Sequence, residues 1–119
     1  VFISTPMHNF AVPAALKLWI DYVTRISRTF KATHEGKFGL LRDRPAVVLL
    51  RSGGVCVGEA ARQPDFLTPY LRHVLATIGI HSTDFLYLPG LTPETQEVAA
   101  IHEKLDALPL VTRFLGEMQ

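Results

Sequence analysis

Two short stretches of the chain carry residue types suited to gripping a small molecule. Pro6-Met7-His8-Asn9-Phe10 follows one apolar run, and Arg51-Ser52-Gly53-Gly54 follows another. Both read as bends in which main-chain groups dominate. Glycines let a flat ring approach the backbone closely, and successive N–H groups form a concave nest that attracts negative charge. Asn9 adds an amide that both donates and accepts. Such loops suit a planar heterocycle whose edge alternates donors and acceptors. Ser52 beside two glycines also has the composition of a nucleophile loop, but a catalytic serine needs a His–acid pair that only the fold could bring to it.

Each of these residues has a plainer reading. His8 is a ring contact, a proton donor with an ordinary pKa near 6.5, or a loop histidine bonded to backbone. Asn9 is a turn former wherever loops tighten, and Gly53-Gly54 is a common strand-to-loop turn. Cys56 is a reactive thiol or, more simply, a small apolar residue. His34, His73, His81 and His102 have no Cys, Asp or Glu at metal-ligand spacing, so no metal site is expected. Lys17 and Asp21, at i and i+4, suit a pair on a helix surface.

The elements that must hold the two bends follow from hydrophobic patterning. Val1 to Thr5 reads as a short, fully buried strand. Pro13 fits the first turn of a helix running to Ile26, with Leu16, Trp19, Ile20 and Val23 on one apolar face. Leu18, Tyr22 and Ile26 make a second apolar row, more than one sheet face needs, and predict a partner chain. Ser27 to Arg44 is expected as a long polar connection. Pro45 to Leu50 is the clearest strand. A helix follows from Asp65 to Ile78, with Leu67, Leu71, Val74, Leu75 and Ile78 as its buried stripe and Gly79 as a left-handed cap. Ser82 to Leu88 is a third strand. Thr92-Pro93-Glu94 opens a last helix carrying Val98, Ile101, Leu105 and Leu108, and Val111 to Gln119 is a tail without assignment. Strands alternating with amphipathic helices predict an α/β fold, a parallel sheet with helices on both faces. Its ligand site belongs beyond the C-terminal strand ends, where both bends lie.

Composition narrows the functional classes. The chain has 119 residues, 48% of them hydrophobic, and a formal net charge of +1. That describes one globular domain with a real core. The absence of a basic excess argues against a nucleic-acid partner. No apolar run approaches the roughly 18 residues of a membrane span. A single cysteine fits a reducing, cytoplasmic setting. The opening Val1-Phe2-Ile3, without initiator Met, basic lead or cleavage pattern, predicts strand–helix units upstream that this chain lacks.

Taken together, Pro6-Met7-His8-Asn9-Phe10, Leu16-Lys17, Trp19-Ile20-Asp21 and Thr29-Phe30 closely resemble a stretch of the FMN-dependent NADH:quinone oxidoreductases. These are the azoreductases formerly described as acyl carrier protein phosphodiesterases. Gly36, Gly39-Leu40-Leu41, Gly53-Gly54, Pro69-Tyr70-Leu71 and Gly79-Ile80 extend the resemblance from about Val1 to Gly90. It implies a flavodoxin-like fold, a homodimer, and FMN as the carrier of hydride from NAD(P)H to a quinone or azo acceptor. It also implies that Met7, His8, Asn9 and Phe10, with the adjoining Pro6, wrap the isoalloxazine ring, while Arg51, Ser52, Gly53 and Gly54 meet its pyrimidine end. No catalytic side chain is then expected, because the chemistry belongs to the cofactor.

The sequence departs from that family in identifiable places. His8 stands where the family has Tyr, Arg51 sits one place early in the glycine turn, and Ala32 and Thr33 replace an aromatic residue. The family's first strand and Ser-rich phosphate loop lie upstream of Val1, so weak FMN binding, or none, is expected of this chain alone. The second reading is a flavodoxin-like fragment without flavin activity, serving as a dimerisation or interaction module.

Overall fold

The computed structural model describes residues 1–90, 94–109, 111, 112 and 116. Its main sheet has three parallel strands: β1 (Phe2–Pro6), β4 (Ala46–Ser52) and β5 (Thr83–Pro89), in the order β1-β4-β5. Helices α1 (Ala14–Val23), α2 (Leu67–Ile78) and α3 (Thr95–Ala107) connect and flank them. A separate antiparallel pair, β2 (Phe30–Thr33) and β3 (Gly36–Gly39), lies between α1 and β4.

β4 is central because it is apolar on both faces. Ala46, Val48 and Leu50 pack against Ile20 of α1 and against Leu67, Leu71, Val74, Leu75 and Ile78 of α2. Val47 faces the other way, onto Leu86 and onto Ile101 of α3. Helices therefore cover both faces, as the alternation of elements predicts. Each large side chain so buried contributes roughly 1.5–3 kcal/mol. The α2 stripe matches the expected positions residue for residue.

β1 differs from the expectation of a fully buried strand. It is paired on one side only among the described residues, and Phe2 is 68% exposed. Its register places Phe2 opposite Val47 and Pro6 opposite Arg51. A run of apolar letters cannot distinguish a central strand from an edge strand.

α1 is shorter than expected at both ends. Pro13 is its N-cap in an extended conformation rather than a residue of the first turn. At the other end the Thr29 hydroxyl donates to the Val23 carbonyl at 2.6 Å and accepts the Arg25 N–H at 2.9 Å. A side chain six residues ahead thus competes for the helix's terminal groups, and the chain turns through Ser27 at φ 61. Only Ile20 of α1 is buried; Leu18, Trp19 and Tyr22 on the helix, and Ile26 beyond it, are exposed.

The connection from Ser27 to Arg44 is not merely polar loop. It contains the β2–β3 hairpin, with Phe30 opposite Gly39 and Thr33 opposite Gly36. Lys31 sits over Phe38 and Lys37 over Phe30, which screens short strands behind charged side chains. The hairpin docks on the end of α2, where a Cβ on Gly39 would come within 2.2 Å of the Gly79 nitrogen. Gly79 takes the left-handed conformation, φ 110, and Leu41 donates its N–H to the Ile78 carbonyl.

Capping sets the remaining boundaries. Asp65 Oδ1 accepts the N–H groups of Leu67 and Thr68, both at 2.9 Å, so Asp65 precedes α2 rather than belonging to it. The α3 cap is Glu94, in a reciprocal box with Glu97. The expected Thr92-Pro93 start lies outside the described residues, as does most of the tail. Asp43 ties the entry of β5, accepting from the His81 N–H at 2.9 Å and from the Ser82 hydroxyl at 3.1 Å.

Candidate functional site

The sheet brings the two bends side by side. Pairing of β1 with β4 runs to Pro6 and Arg51, and the Met7 N–H then donates to the Arg51 carbonyl at 2.7 Å. Both bends therefore leave the same rim of the sheet, at the C-terminal ends of adjacent strands.

The first bend is a two-residue hairpin turn. The N–H of His8 donates to the Ala11 carbonyl and the N–H of Ala11 to the His8 carbonyl, each at 3.0 Å. Between them Asn9 and Phe10 have φ of 49 and 70. Positive φ at both central positions is the backbone of a type I′ turn, which ordinarily selects Asn followed by Gly. Phe10 holds that conformation despite its bulk, at an energetic cost. Its carbonyl accepts the Phe66 N–H at 2.9 Å, tying the turn to the start of α2.

The second bend is braced from inside. Ser52, 3% exposed, donates its hydroxyl proton to the Gly54 carbonyl at 2.8 Å. Its oxygen accepts from the Gly54 N–H at 3.3 Å and from Gln63 Nε2 at 3.1 Å. Tyr87 donates to the same Gly54 carbonyl at 2.7 Å. Burial raises the Tyr87 pKa above its ordinary value, which keeps that donor protonated. The Gly90 N–H donates to the Ser52 carbonyl, and Arg51 Nε donates to the Gly90 carbonyl at 3.1 Å. The partners of Ser52 are a carbonyl, two N–H donors and the Met7 thioether, none of them a general base. The arrangement braces a loop; it does not activate a nucleophile.

Two adjoining hollows result. One of 340 Å³ is lined by Met7, Asn9, Phe10, Ser52, Gly53, Gly54 and Gln63. The other, of 290 Å³, is lined by Pro6, Met7, His8, Arg51 and Gly53. Every residue of the two bends, Pro6 to Phe10 and Arg51 to Gly54, lines one or the other. A larger cleft of 830 Å³ lies beyond the first bend, where His8 and Asn9 meet Lys17, Phe66 and Tyr70. Lys17 is held by Asp21 at 2.7 and 2.8 Å, as their spacing predicts, and that hydrogen bond raises the lysine pKa.

Sequence reasoning missed Gln63 and Tyr87. Gln63 belongs to no motif. Tyr87 reaches the second bend through the β4–β5 register, which pairs it with Leu50 two residues before Ser52, and no local signal announces that pairing. Cys56 is 8% exposed and fits its plainer reading. No group of three or more His, Cys, Asp or Glu among the described residues could hold a metal ion.

A family model described as flavodoxin-like fold matches residues 1–108. The chain belongs to that family. This flavodoxin-like chain is 63% identical over 113 residues to FMN-dependent NADH:quinone oxidoreductase 5 of Burkholderia lata, spanning 95% of the chain and 55% of that protein. It is 58% identical over 115 residues to FMN-dependent NADH:quinone oxidoreductase 4 of Pseudomonas fluorescens, spanning 96% and 56%. The chain thus covers about half the length of the curated relatives it matches. Among solved structures, it superimposes on an FMN-dependent NADH-azoreductase from Bacillus anthracis in complex with FMN, with a TM-score of 0.77. That match covers 95% of this chain and 55% of the other at 24% identity, and it bears on the fold alone.

Proposed function

We propose that the protein is an FMN-dependent NAD(P)H oxidoreductase that reduces a quinone or azo compound by two-electron hydride transfer. The observation that carries the reading is the convergence of both bends, through the Met7–Arg51 hydrogen bond, into adjoining hollows walled by main-chain amides and by Met7 and Phe10. At 340 Å³, the hollow holding Gly53 and Gly54 falls within the roughly 300–1,000 Å³ typical of small-molecule sites.

The wall's chemistry suits a flavin edge as well. A Cβ on Gly54 would come within 2.6 Å of Gln63 Oε1, so the missing side chain is what lets the Gln63 amide lie against the glycine backbone on this wall. Met7, His8, Asn9 and Phe10 would hold one side of the ring, and Arg51, Ser52, Gly53 and Gly54 its pyrimidine end. When bound, FMN supplies the chemistry: it takes hydride from NAD(P)H and passes two electrons to the acceptor. The protein's part is to orient the ring between the bends, keep the apolar walls dry, and place N–H dipoles where negative charge develops on reduction.

Association as a homodimer through α1 is part of the proposal. Leu18 and Tyr22 on one row of that helix are 59% and 67% exposed, and Ile26 beyond it 63%. Such a row is unusual for a surface that faces only water. A cytoplasmic location is proposed with it; no helix among the described residues is long and apolar enough to cross a membrane.

Titration of the full chain into FMN, read as quenching of flavin fluorescence, tests the cofactor assignment. NADH oxidation with menadione as acceptor tests the activity. Quenching by micromolar protein supports the flavin reading. No quenching at high micromolar concentration overturns it in favour of a module that only associates with other chains.

A further inference from the structure

The orientation of the Gln63 amide follows from where the neighbouring protons are. Ser52 has one hydroxyl proton and gives it to the Gly54 carbonyl at 2.8 Å. Toward Gln63, at 3.1 Å, Ser52 can therefore only accept, so the NH₂ end of the amide must face it. The same nitrogen is 3.7 Å from the Met7 sulfur. The carbonyl end, Oε1, is then left over Gly54, on the wall of the 340 Å³ hollow.

Elimination shows what that oxygen offers. The Gly54 carbonyl already accepts from Ser52 and from Tyr87, which fills its two lone pairs. Ser52 Oγ accepts from Gly54 and Gln63, and the Ser52 carbonyl accepts from Gly90. Among the described residues no donor reaches Gln63 Oε1. It is an acceptor that this braced wall holds in reserve, and the Ser52 contact at the NH₂ end fixes its orientation from behind.

We infer that Gln63 Oε1 accepts the imide N–H of the flavin, the N3–H between the two pyrimidine carbonyls, and thereby sets the orientation of the ring in the hollow. The inference rests on the flavin reading given above. Gln63 is a positioning residue: no bond is made or broken at it, and it reads the one donor on an otherwise acceptor-rich ring edge.

The test is a chemical double-mutant cycle on binding, using the full chain with FMN and with N3-methyl-FMN, which lacks that donor. For the unmodified chain the methylated flavin is expected to bind roughly tenfold more weakly, the effect of losing one hydrogen bond to an enclosed acceptor. Gln63→Leu preserves volume and removes the acceptor, so discrimination between the two flavins should vanish. Gln63→Glu keeps an oxygen acceptor and should retain discrimination, and circular dichroism checks that both variants are folded. Discrimination persisting in Gln63→Leu would be steric and would overturn the inference while leaving the flavin reading intact. Failure of the unmodified chain to bind either flavin would overturn both.

Discussion

The main-chain N–H of Met7 donates to the carbonyl of Arg51 at 2.7 Å, one residue beyond the last pair formed by β1 and β4. The parallel ladder thus continues into the loops and ties the two bends together. Residues 44 positions apart in sequence become adjacent walls because strands β1 and β4 are neighbours, although α1 and the hairpin lie between them in the chain.

Ser52→Ala should weaken FMN binding by about three- to tenfold, because the Gly54 carbonyl and the Gln63 amide lose a hydrogen-bond partner worth roughly 0.5–1.5 kcal/mol. The rate at saturating FMN should be little changed. A fluorescence titration paired with turnover at high FMN separates the two. Abolished turnover at full flavin occupancy would point to serine chemistry instead.

Gly39→Ala should destabilise the fold by more than Gly36→Ala. The added methyl at Gly39 meets backbone atoms of Gly79 at 2.2 Å, whereas Gly36 has open space around it and only a strained φ of 132. Backbone cannot swing aside as a side chain can. Urea midpoints of the two variants give the comparison, and a Gly39 variant as stable as the parent would contradict this packing.

Tyr22→Arg should turn a dimer into a monomer without lowering the melting temperature of the monomeric unit, since Tyr22 is 67% exposed and contributes nothing to the internal core. Sedimentation velocity at several concentrations reads the outcome. Unchanged association would move the dimer interface away from α1.

Acid should uncouple Asp43 from β5. Hydrogen bonds from the His81 N–H, foremost, and from Ser82 hold its carboxyl below the usual carboxylate range. A group with a depressed folded pKa adds stability above its unfolded value near 3.9, and that stability is lost as pH falls through the lower folded value. Asp43→Asn should therefore show a shallower loss of stability below about pH 4 than the parent. Thermal melts from pH 6 to pH 2 measure the difference in slope.

How much of this was legible beforehand depended on which interactions are local. The α2 stripe from Leu67 to Ile78, with Gly79 as its cap, is written in consecutive turns of one helix and reads directly from spacing. The β2–β3 hairpin is not: Phe30-Lys31-Ala32-Thr33 buries only its phenylalanine, and its pairing depends on a close approach to Gly79 that no local pattern announces. The end of α1 was hidden for the same reason, because Thr29 acts from outside the helix. At the site, the bends were visible as glycine and amide clusters, but Gln63 and Tyr87 arrive there through tertiary packing. Phe10 is the sharpest case, since local preference argues against a bulky residue at φ 70.

That phenylalanine has a consequence for the speed and selectivity of capture. Because the turn is already bent against its own inclination in the free molecule, the conformational penalty is settled during folding rather than when a guest arrives. An incoming ring meets a rigid mould instead of a floppy clasp. Guests of the wrong thickness then gain nothing from accommodation.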